Sequence, residues 1–171
     1  MVGDFVRDKD AVTSTLLACE IAASAKANGS SFYKDLIDAY EEFGFYKEKL
    51  ISITKKGMTG AEEIKQMLKD FKENPVDTVQ GSKLLYIEDY NTSIVKNVET
   101  GEEFTLHLPK SNVLIYETED GTRIAARPSG TEPKVKFYIS TNAKLDKAED
   151  YKSVNSQLET KIEGILSELN L

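Results

Sequence analysis

Residues 127–140 read RPSGTEPKVKFYIS, and this stretch predicts a shaped loop followed by a β-strand. Pro128 and Pro133 both oppose helix, so the first part must form a loop. The second part alternates apolar and polar side chains with the two-residue period of a strand that is buried on one face. The side chains expected to face the core are Val135, Phe137 and Ile139, and those expected on the opposite face are Lys134, Lys136 and Tyr138.

Further strand-like segments surround this loop and predict a sheet. They are KLISIT (49–54), KLLYIED (83–89), SIVKNV (93–98), EFTLHL (103–108), NVLIYET (112–118) and TRIAAR (122–127), with the turn sequences ETGE and EDGT between some of them. Two helical segments, at 60–74 and 151–169, carry apolar residues at three- and four-residue steps. This order of elements predicts an α+β domain over residues 45–171, with an antiparallel sheet and its helices on one face.

Residues 1–44 predict two more helices with no strand between them. Asp10 is placed to cap the first helix, and the pair Asn28-Gly29 is typical of a left-handed helix end. The second helix stops at Gly44. Two helices alone make an incomplete core, so we expect residues 1–44 to be the end of a preceding domain, with apolar surface exposed on the first helix.

The composition sets limits on the function. The chain has 171 residues, of which 40% are hydrophobic and 30% charged, as is ordinary for a soluble globular protein. No apolar run reaches the roughly 20 residues of a membrane span. The single cysteine, Cys19, rules out an internal disulfide framework and fits a reducing compartment. A net charge of −7 repels nucleic acid and anionic membranes, so we expect a cytoplasmic protein that binds neither.

Isolated chemical groups give little indication of a catalytic centre. Cys19 lies in an alanine-rich helix and is predicted to be a buried structural thiol. His107, the one histidine, is predicted to be a solvent-side or satisfied strand residue. One Cys and one His cannot supply a zinc site, and we expect no metal here. For the acidic pairs we expect helix capping at Asp8/Asp10, and turn or surface solvation at Glu88/Asp89 and Glu119/Asp120.

The loop at 127–134 has two interpretations on its residues alone. One is a plain polar turn. The other is a phosphate cradle, because Arg127 offers a planar pair of donors, Ser129 and Thr131 offer hydroxyls and amides, and Gly130 lacks a Cβ that would block close approach. Four basic residues lie within this part of an otherwise acidic chain, namely Arg123, Arg127, Lys134 and Lys136.

The stretch RPSGTEPKVKFYIS closely resembles the phosphate-binding loop and following strand in the last domain of the α-D-phosphohexomutases, the family of phosphoglucomutases and phosphomannomutases. A second stretch, VGDFVRDKDAVTSTLLACEIAA near the start, is similar to the segment just after that family's sugar-recognition loop. The order and separation of the two matches fit the family, as does the β-α-β pattern between them.

The resemblance implies a fold and a function. Residues 45–171 would be the fourth, phosphate-binding domain, and residues 1–44 the helical remnant of the third. The family interconverts hexose 1-phosphate and 6-phosphate through a bisphosphorylated intermediate, with Mg²⁺ and glucose 1,6-bisphosphate. The residues implied to hold the non-transferring phosphate are Arg127, Ser129, Gly130, Thr131 and Lys136, and Lys9 matches a family lysine that can reach the sugar or phosphate.

The sequence departs from the family in what it lacks. The phosphoserine loop, the magnesium loop and the sugar loop are absent from it, so we expect a C-terminal fragment that is inactive alone, binds no cofactor and needs domains 1–3 of its parent. Two other functions stay open, a stand-alone phosphosugar-binding module and an interaction domain without catalysis. The hexose is undecided, because the sugar loop is absent.

Overall fold

The computed structural model describes Gly3, Val6, residues 8–57 and residues 59–171. The helices are α1 (Ala11–Ala27), α2 (Phe32–Phe43), α3 (Gly60–Glu73) and α4 (Tyr151–Glu168). The strands are β1 (Phe45–Thr54), β2 (Thr78–Val79), β3 (Ser82–Asp89), β4 (Ile94–Asn97), β5 (Glu103–Thr105), β6 (Leu114–Thr118), β7 (Arg123–Pro128) and β8 (Lys134–Ala143). Among these described residues, no helix is long and apolar enough to cross a membrane.

The chain divides into two compact units. One consists of Met1–Phe45 and Lys144–Tyr151, and the other of Tyr46–Ala143 and Lys152–Leu171. The stretch Lys144–Tyr151 thus packs with the early helices rather than with the sheet that surrounds it in sequence.

The first unit has the helix ends that the sequence predicts. The Asp10 carboxylate accepts a hydrogen bond from the backbone N–H of Thr13 at 3.0 Å and so caps α1. Gly29, just past the end of α1, has a φ of 71°, and Gly44 after α2 has a φ of 94°. Both values lie in the left-handed region where glycine has no steric penalty.

An aromatic cluster holds this unit together, while α1 exposes apolar side chains. The ring centroids of Tyr40 and Phe45 are 4.4 Å apart, and those of Phe45 and Tyr151 are 5.2 Å apart. In α1, by contrast, Val12 is 83% and Leu16 69% exposed, which confirms the expected apolar surface.

Cys19 corrects a prediction, because its thiol is exposed rather than buried. The alanine-rich sequence around it suggested a buried helix. In this unit, however, the buried residue of α1 is Ala25, near its C-terminal end, and Cys19 lies on a part of the helix that is not covered.

The second unit is an antiparallel sheet with two helices on one face, as predicted. The strand order is β1-β8-β7-β6-β3-β4-β5, with β2 paired to β3. Buried side chains from the sheet meet Ile64 of α3 and Ile162 and Ile165 of α4. The sheet residues in this core include Tyr116, Ile124, Ala126, Val135, Phe137 and Ile139.

Some strand bounds differ from the sequence prediction. Strand β1 starts at Phe45, four residues before KLISIT, and its polar residues Lys47 and Lys49 pair with Glu159 and Glu163 of α4. Strand β5 ends at Thr105, so the exposed His107 lies beyond the strand that was expected to contain it.

The acidic pair Glu88/Asp89 was predicted to be solvated, and this prediction is wrong, since both residues are buried. Glu88 accepts hydrogen bonds from Arg123 Nη2 at 2.8 Å and from the Tyr90 hydroxyl at 3.1 Å. Asp89 lies 2.6 Å from Lys72 Nζ. Each carboxylate has a cation from a distant part of the sequence, which a local pattern cannot indicate.

Candidate functional site

The register of β7 and β8 places Arg127 directly opposite Lys136. Because Ala126, Val135 and Phe137 face the helices and are fully buried, Arg127 and Lys136 lie on the opposite, open face of the sheet. Directly opposed side chains in an antiparallel pair have Cβ atoms about 5 Å apart, and like charges there repel each other. The two strands therefore hold two cations side by side at the mouth of the β7–β8 loop.

Residues 129–133 form this loop, and its own hydrogen bonds define its shape. The backbone N–H of Ser129 donates to the carbonyl oxygen of Lys134 at 2.7 Å, and the N–H of Lys134 donates to the carbonyl of Glu132 at 2.8 Å. Inside the loop, Ser129 Oγ accepts from the N–H groups of Thr131 and Glu132 at 3.4 and 3.3 Å. Since the oxygen serves as acceptor, the proton of the Ser129 hydroxyl is left to donate elsewhere.

Gly130 is exposed, and its φ lies outside the left-handed region. A Cβ added at this position would meet nothing within 4 Å. The backbone shape therefore does not demand a glycine here. What the glycine leaves is open space on its side of the loop, through which another molecule can approach the backbone.

A pocket of about 250 Å³ opens at this loop. Its lining residues are Arg127, Pro128, Ser129, Gly130, Glu132, Lys134 and Lys136. A water molecule takes roughly 30 Å³ in the liquid, so the pocket has room for an anion with four oxygens. We call it the loop pocket.

Four of the five residues predicted for the loop line this pocket, and Thr131 lies exposed in the same loop. The prediction omitted Pro128, Glu132 and Lys134 from the site. Lys134 was recognisable from its position on the same strand face as Lys136. Glu132 carries a charge of the wrong sign for an anion site, so its residue type did not indicate a place there. Because Glu132 is exposed, water screens its charge.

Among the described residues, Arg123 forms ion pairs with carboxylates, whereas the three cations that line the loop pocket do not. Arg123 lies 2.8 Å from Glu88 Oε1 and 3.4 Å from Glu117 Oε2. Within the described parts of the chain, no carboxylate forms an ion pair with Arg127, Lys134 or Lys136. Among its described lining residues, the pocket thus holds three cations and one exposed carboxylate, Glu132, that forms no ion pair with them, whereas the charge of Arg123 is already paired.

Lys9 belongs to the first unit and the loop pocket to the second. Its side chain is 95% exposed, and its Nζ lies 3.0 Å from the carboxylate of the adjacent Asp8. A contact between Lys9 and a sugar or phosphate remains a prediction.

The comparisons with known proteins agree with the fold. Residues 58–153 match the family model described as phosphoglucomutase/phosphomannomutase, C-terminal domain. The phosphoglucomutase of Staphylococcus aureus is 39% identical over 136 residues, which are 80% of this chain and 24% of that protein. The phosphoglucomutase of Staphylococcus saprophyticus is 37% identical over 134 residues, which are 78% of this chain and 24% of that protein.

A solved structure is also similar, namely parafusin, a phosphoglucomutase from Paramecium, in its open form. The alignment covers 95% of this chain and 28% of that one, at 18% identity and a TM-score of 0.47.

The chain belongs to the α-D-phosphohexomutase family and contains that family's C-terminal domain. It spans about a quarter of the length of the phosphoglucomutases that it matches.

Proposed function

We propose that this chain supplies the phosphate-holding part of a phosphohexomutase, and that the loop pocket binds the substrate phosphate that is not being transferred. The observation that carries this proposal is the opposed pair Arg127 and Lys136, joined by Lys134, without a carboxylate partner among the described residues. Such a cluster repels itself until an anion enters, and a phosphate dianion relieves that repulsion.

Each residue of the loop has a distinct part in the proposed binding. Arg127 presents two parallel N–H donors to two phosphate oxygens. Ser129 donates its hydroxyl proton, and the open side of Gly130 admits the phosphate close to the backbone. Lys136 adds charge, and Thr131 adds a hydroxyl at the rim.

This arrangement suits a mutase because it recognises the phosphate and leaves the sugar outside. A reaction that exchanges the 1- and 6-phosphates must hold the substrate in two orientations. A pocket that contacts only the phosphate accepts both, and it fixes the hydroxyl to be phosphorylated by holding the opposite end of the molecule.

The rest of the chemistry lies outside these residues in our proposal. Mg²⁺ would stabilise charge on the phosphoryl group during transfer. Within the described residues, no group of three or more His, Cys, Asp or Glu side chains lies close enough together to hold a metal ion. We therefore place the phosphoserine, the metal and the contact with the bisphosphate in the first three domains of such an enzyme.

Titration with inorganic phosphate tests the proposal, read by amide chemical shifts at constant ionic strength. We expect shifts confined to residues 127–136 and a dissociation constant in the millimolar range, about −4 kcal/mol, because one open loop leaves much of the anion in water. Arg127→Ala should remove most of the binding. The matched control is Arg123→Ala, which deletes the same charge from the same face of β7 but whose guanidinium is already paired with Glu88 and Glu117.

Three outcomes would contradict the proposal: shifts spread over the surface, equal effects of the two variants, or unchanged binding in Arg127→Ala. In that case the loop is a polar turn. Turnover of glucose 1-phosphate by the chain alone, with Mg²⁺ and glucose 1,6-bisphosphate, would contradict the placement of catalysis in other domains. Micromolar affinity for a hexose phosphate would favour the stand-alone binding module.

A further inference from the structure

The β7–β8 loop is tied from outside by the connection between β1 and α3. The backbone N–H of Lys55, the residue after β1, donates to the carbonyl oxygen of Pro133 at 2.9 Å. Pro133 is the last loop residue before β8. At the other end of the same strand pair, Thr141 Oγ1 of β8 donates to the carbonyl of Lys47 in β1 at 3.2 Å. The bond to Pro133 therefore continues the β1–β8 pairing beyond the strands and into the loop.

A glycine allows the start of α3 to pack against the backbone of Lys55. Gly60, the first residue of α3, is buried, and a Cβ built on it would lie 2.4 Å from the carbonyl oxygen of Lys55 and 2.9 Å from its carbonyl carbon. No side chain fits at that distance, so any other residue must displace the Lys55 backbone. Its φ lies outside the left-handed region, so close approach and not backbone conformation requires glycine here.

The start of α3 lies beside this contact. Thr59, at the N-cap position, does not cap the helix backbone with its side chain; its hydroxyl donates instead to the Glu63 carboxylate at 3.1 Å. The N–H of Gly60 instead donates to the carbonyl of Gly57 at 3.2 Å. The missing side chain of Gly60 thus lets the start of α3 lie against Lys55, the residue whose N–H bonds Pro133.

We propose that Lys55, through its backbone N–H, and Gly60, through its missing side chain, are positioning residues for the loop pocket. We call the two together the brace. The inference rests on the proposed phosphate-binding function. The bonds of Ser129 Oγ inside the loop are long, at 3.3 and 3.4 Å, and the cations of the pocket repel each other. An outside tie keeps the loop in one shape before an anion arrives, which lowers the entropy lost on binding.

A pair of variants at one position isolates the backbone bond. Both Lys55→Pro and Lys55→Ala remove the lysine side chain and its ion pair with Glu63. Only Lys55→Pro also removes the backbone N–H. Two quantities are measured in each variant: the affinity for inorganic phosphate, and the hydrogen-exchange rate of the Ser129 amide, which donates to Lys134 across the base of the loop. Relative to Lys55→Ala, we expect Lys55→Pro to weaken phosphate binding roughly five-fold and to speed the Ser129 exchange by about as much, the effect of one net hydrogen bond.

Gly60→Ala provides a second route, which keeps Lys55 itself intact. It should change both quantities in the same direction, because its new methyl group pushes the Lys55 carbonyl away. The control is Gly164→Ala in α4, whose methyl group would instead meet the side chain of Gln80. Thermal unfolding of all four variants shows whether each is folded.

Equal Ser129 exchange in Lys55→Pro and Lys55→Ala would overturn the brace, as would equal effects of Gly60→Ala and Gly164→Ala. If the unmodified chain binds no phosphate, the proposed function fails, but the Ser129 exchange still reports on the brace. Faster exchange with unchanged phosphate affinity would also overturn the inference, because the brace would then order the loop without serving the site.

Discussion

The hydroxyl of Tyr116 provides a sharp test of how the sheet and α3 hold each other. Tyr116 lies on β6 and is 1% exposed, and its ring stacks on that of Phe71 with centroids 4.0 Å apart. Its hydroxyl donates to the backbone carbonyl of Phe71. In a continuing helix that carbonyl would accept from the N–H of residue 75, but residue 75 is a proline, which has none. Tyr116 therefore supplies the donor that the end of α3 lacks.

Tyr116→Phe keeps the stacked ring and removes only this donor. The bond is partly buried, and one such hydrogen bond contributes about 0.5–1.5 kcal/mol net, so we expect the free energy of unfolding to fall by that amount at pH 7. Tyr138→Phe is the control, because Tyr138 is 40% exposed on the open face of β8, and we expect it to change stability by less than about 0.5 kcal/mol.

The same substitution should change the response to alkali. Burial raises the pKa of Tyr116 well above its ordinary value of about 10. A group whose pKa is raised on folding contributes stability that is present below the unfolded pKa and lost as the pH rises towards the folded one. Above pH 10 the original chain should therefore lose its advantage over Tyr116→Phe, by up to about 1.4 kcal/mol per pH unit.

Urea unfolding, followed by circular dichroism at pH 7 and above pH 10, measures both effects. The reasoning is refuted if Tyr116→Phe and Tyr138→Phe destabilise equally at pH 7. It is also refuted if the difference between the original chain and Tyr116→Phe stays constant above pH 10.

Three further expectations follow from the described contacts. Burial acts to raise the pKa of Asp120, but the ion pair with Lys161 and the threonine hydrogen bonds outweigh it and lower the pKa. Asp120→Asn should therefore lower the free energy of unfolding by about 1 kcal/mol at pH 7, after allowance for the partial exposure of Asp120. Urea unfolding should show a smaller loss below about pH 4, where the carboxylate becomes protonated in the unfolded chain. Phe137→Ala should cost about 3–5 kcal/mol in the same assay, whereas Tyr138→Ala, one residue along on the open face, should cost far less. Cys19 should react with a thiol reagent in the native chain as fast as after denaturation, and strong protection would contradict its exposure.

Much of the fold could be predicted from local patterns. The alternation in β8 and the three-to-four-residue spacing in α3 and α4 report directly on which side of an element is buried. Asp10, Gly29 and Gly44 mark helix ends through their own hydrogen bonding or backbone freedom, so they too were recognisable. These features depend on residues close in sequence.

Two kinds of feature were missed, namely partners that are distant in sequence and a turn without a typical turn residue. Glu88 and Asp89 resemble a solvated pair until Arg123 and Lys72 are brought to them. The short strand β2 ends in a two-residue turn with positive φ at both Gln80 and Gly81, at 48° and 78°. Glutamine is not a residue that usually marks such a turn, so the hairpin gave no local signal.

The candidate site was predictable in part, for a physical reason. Arg127, Ser129 and Gly130 lie within four consecutive residues, so their types alone suggested a cradle, and the register of β7 and β8 places Lys136 opposite Arg127. The contact of Lys55 with Pro133 could not be predicted, because a backbone N–H carries no signature in the sequence. The requirement for glycine at position 60 arises from the same contact and was hidden in the same way.

The alternation along β8 also separates binding from stability. Val135 and Phe137 are fully buried against the helices, while Lys134 and Lys136 lie on the other face at the loop pocket. Removing a pocket cation relieves repulsion and leaves the core unchanged, so its loss should not destabilise the chain. The apolar residues between them fix the register on which the position of each cation depends, because a shift of one residue would turn the lysines into the core. The pocket is therefore held in place by side chains that never touch its ligand.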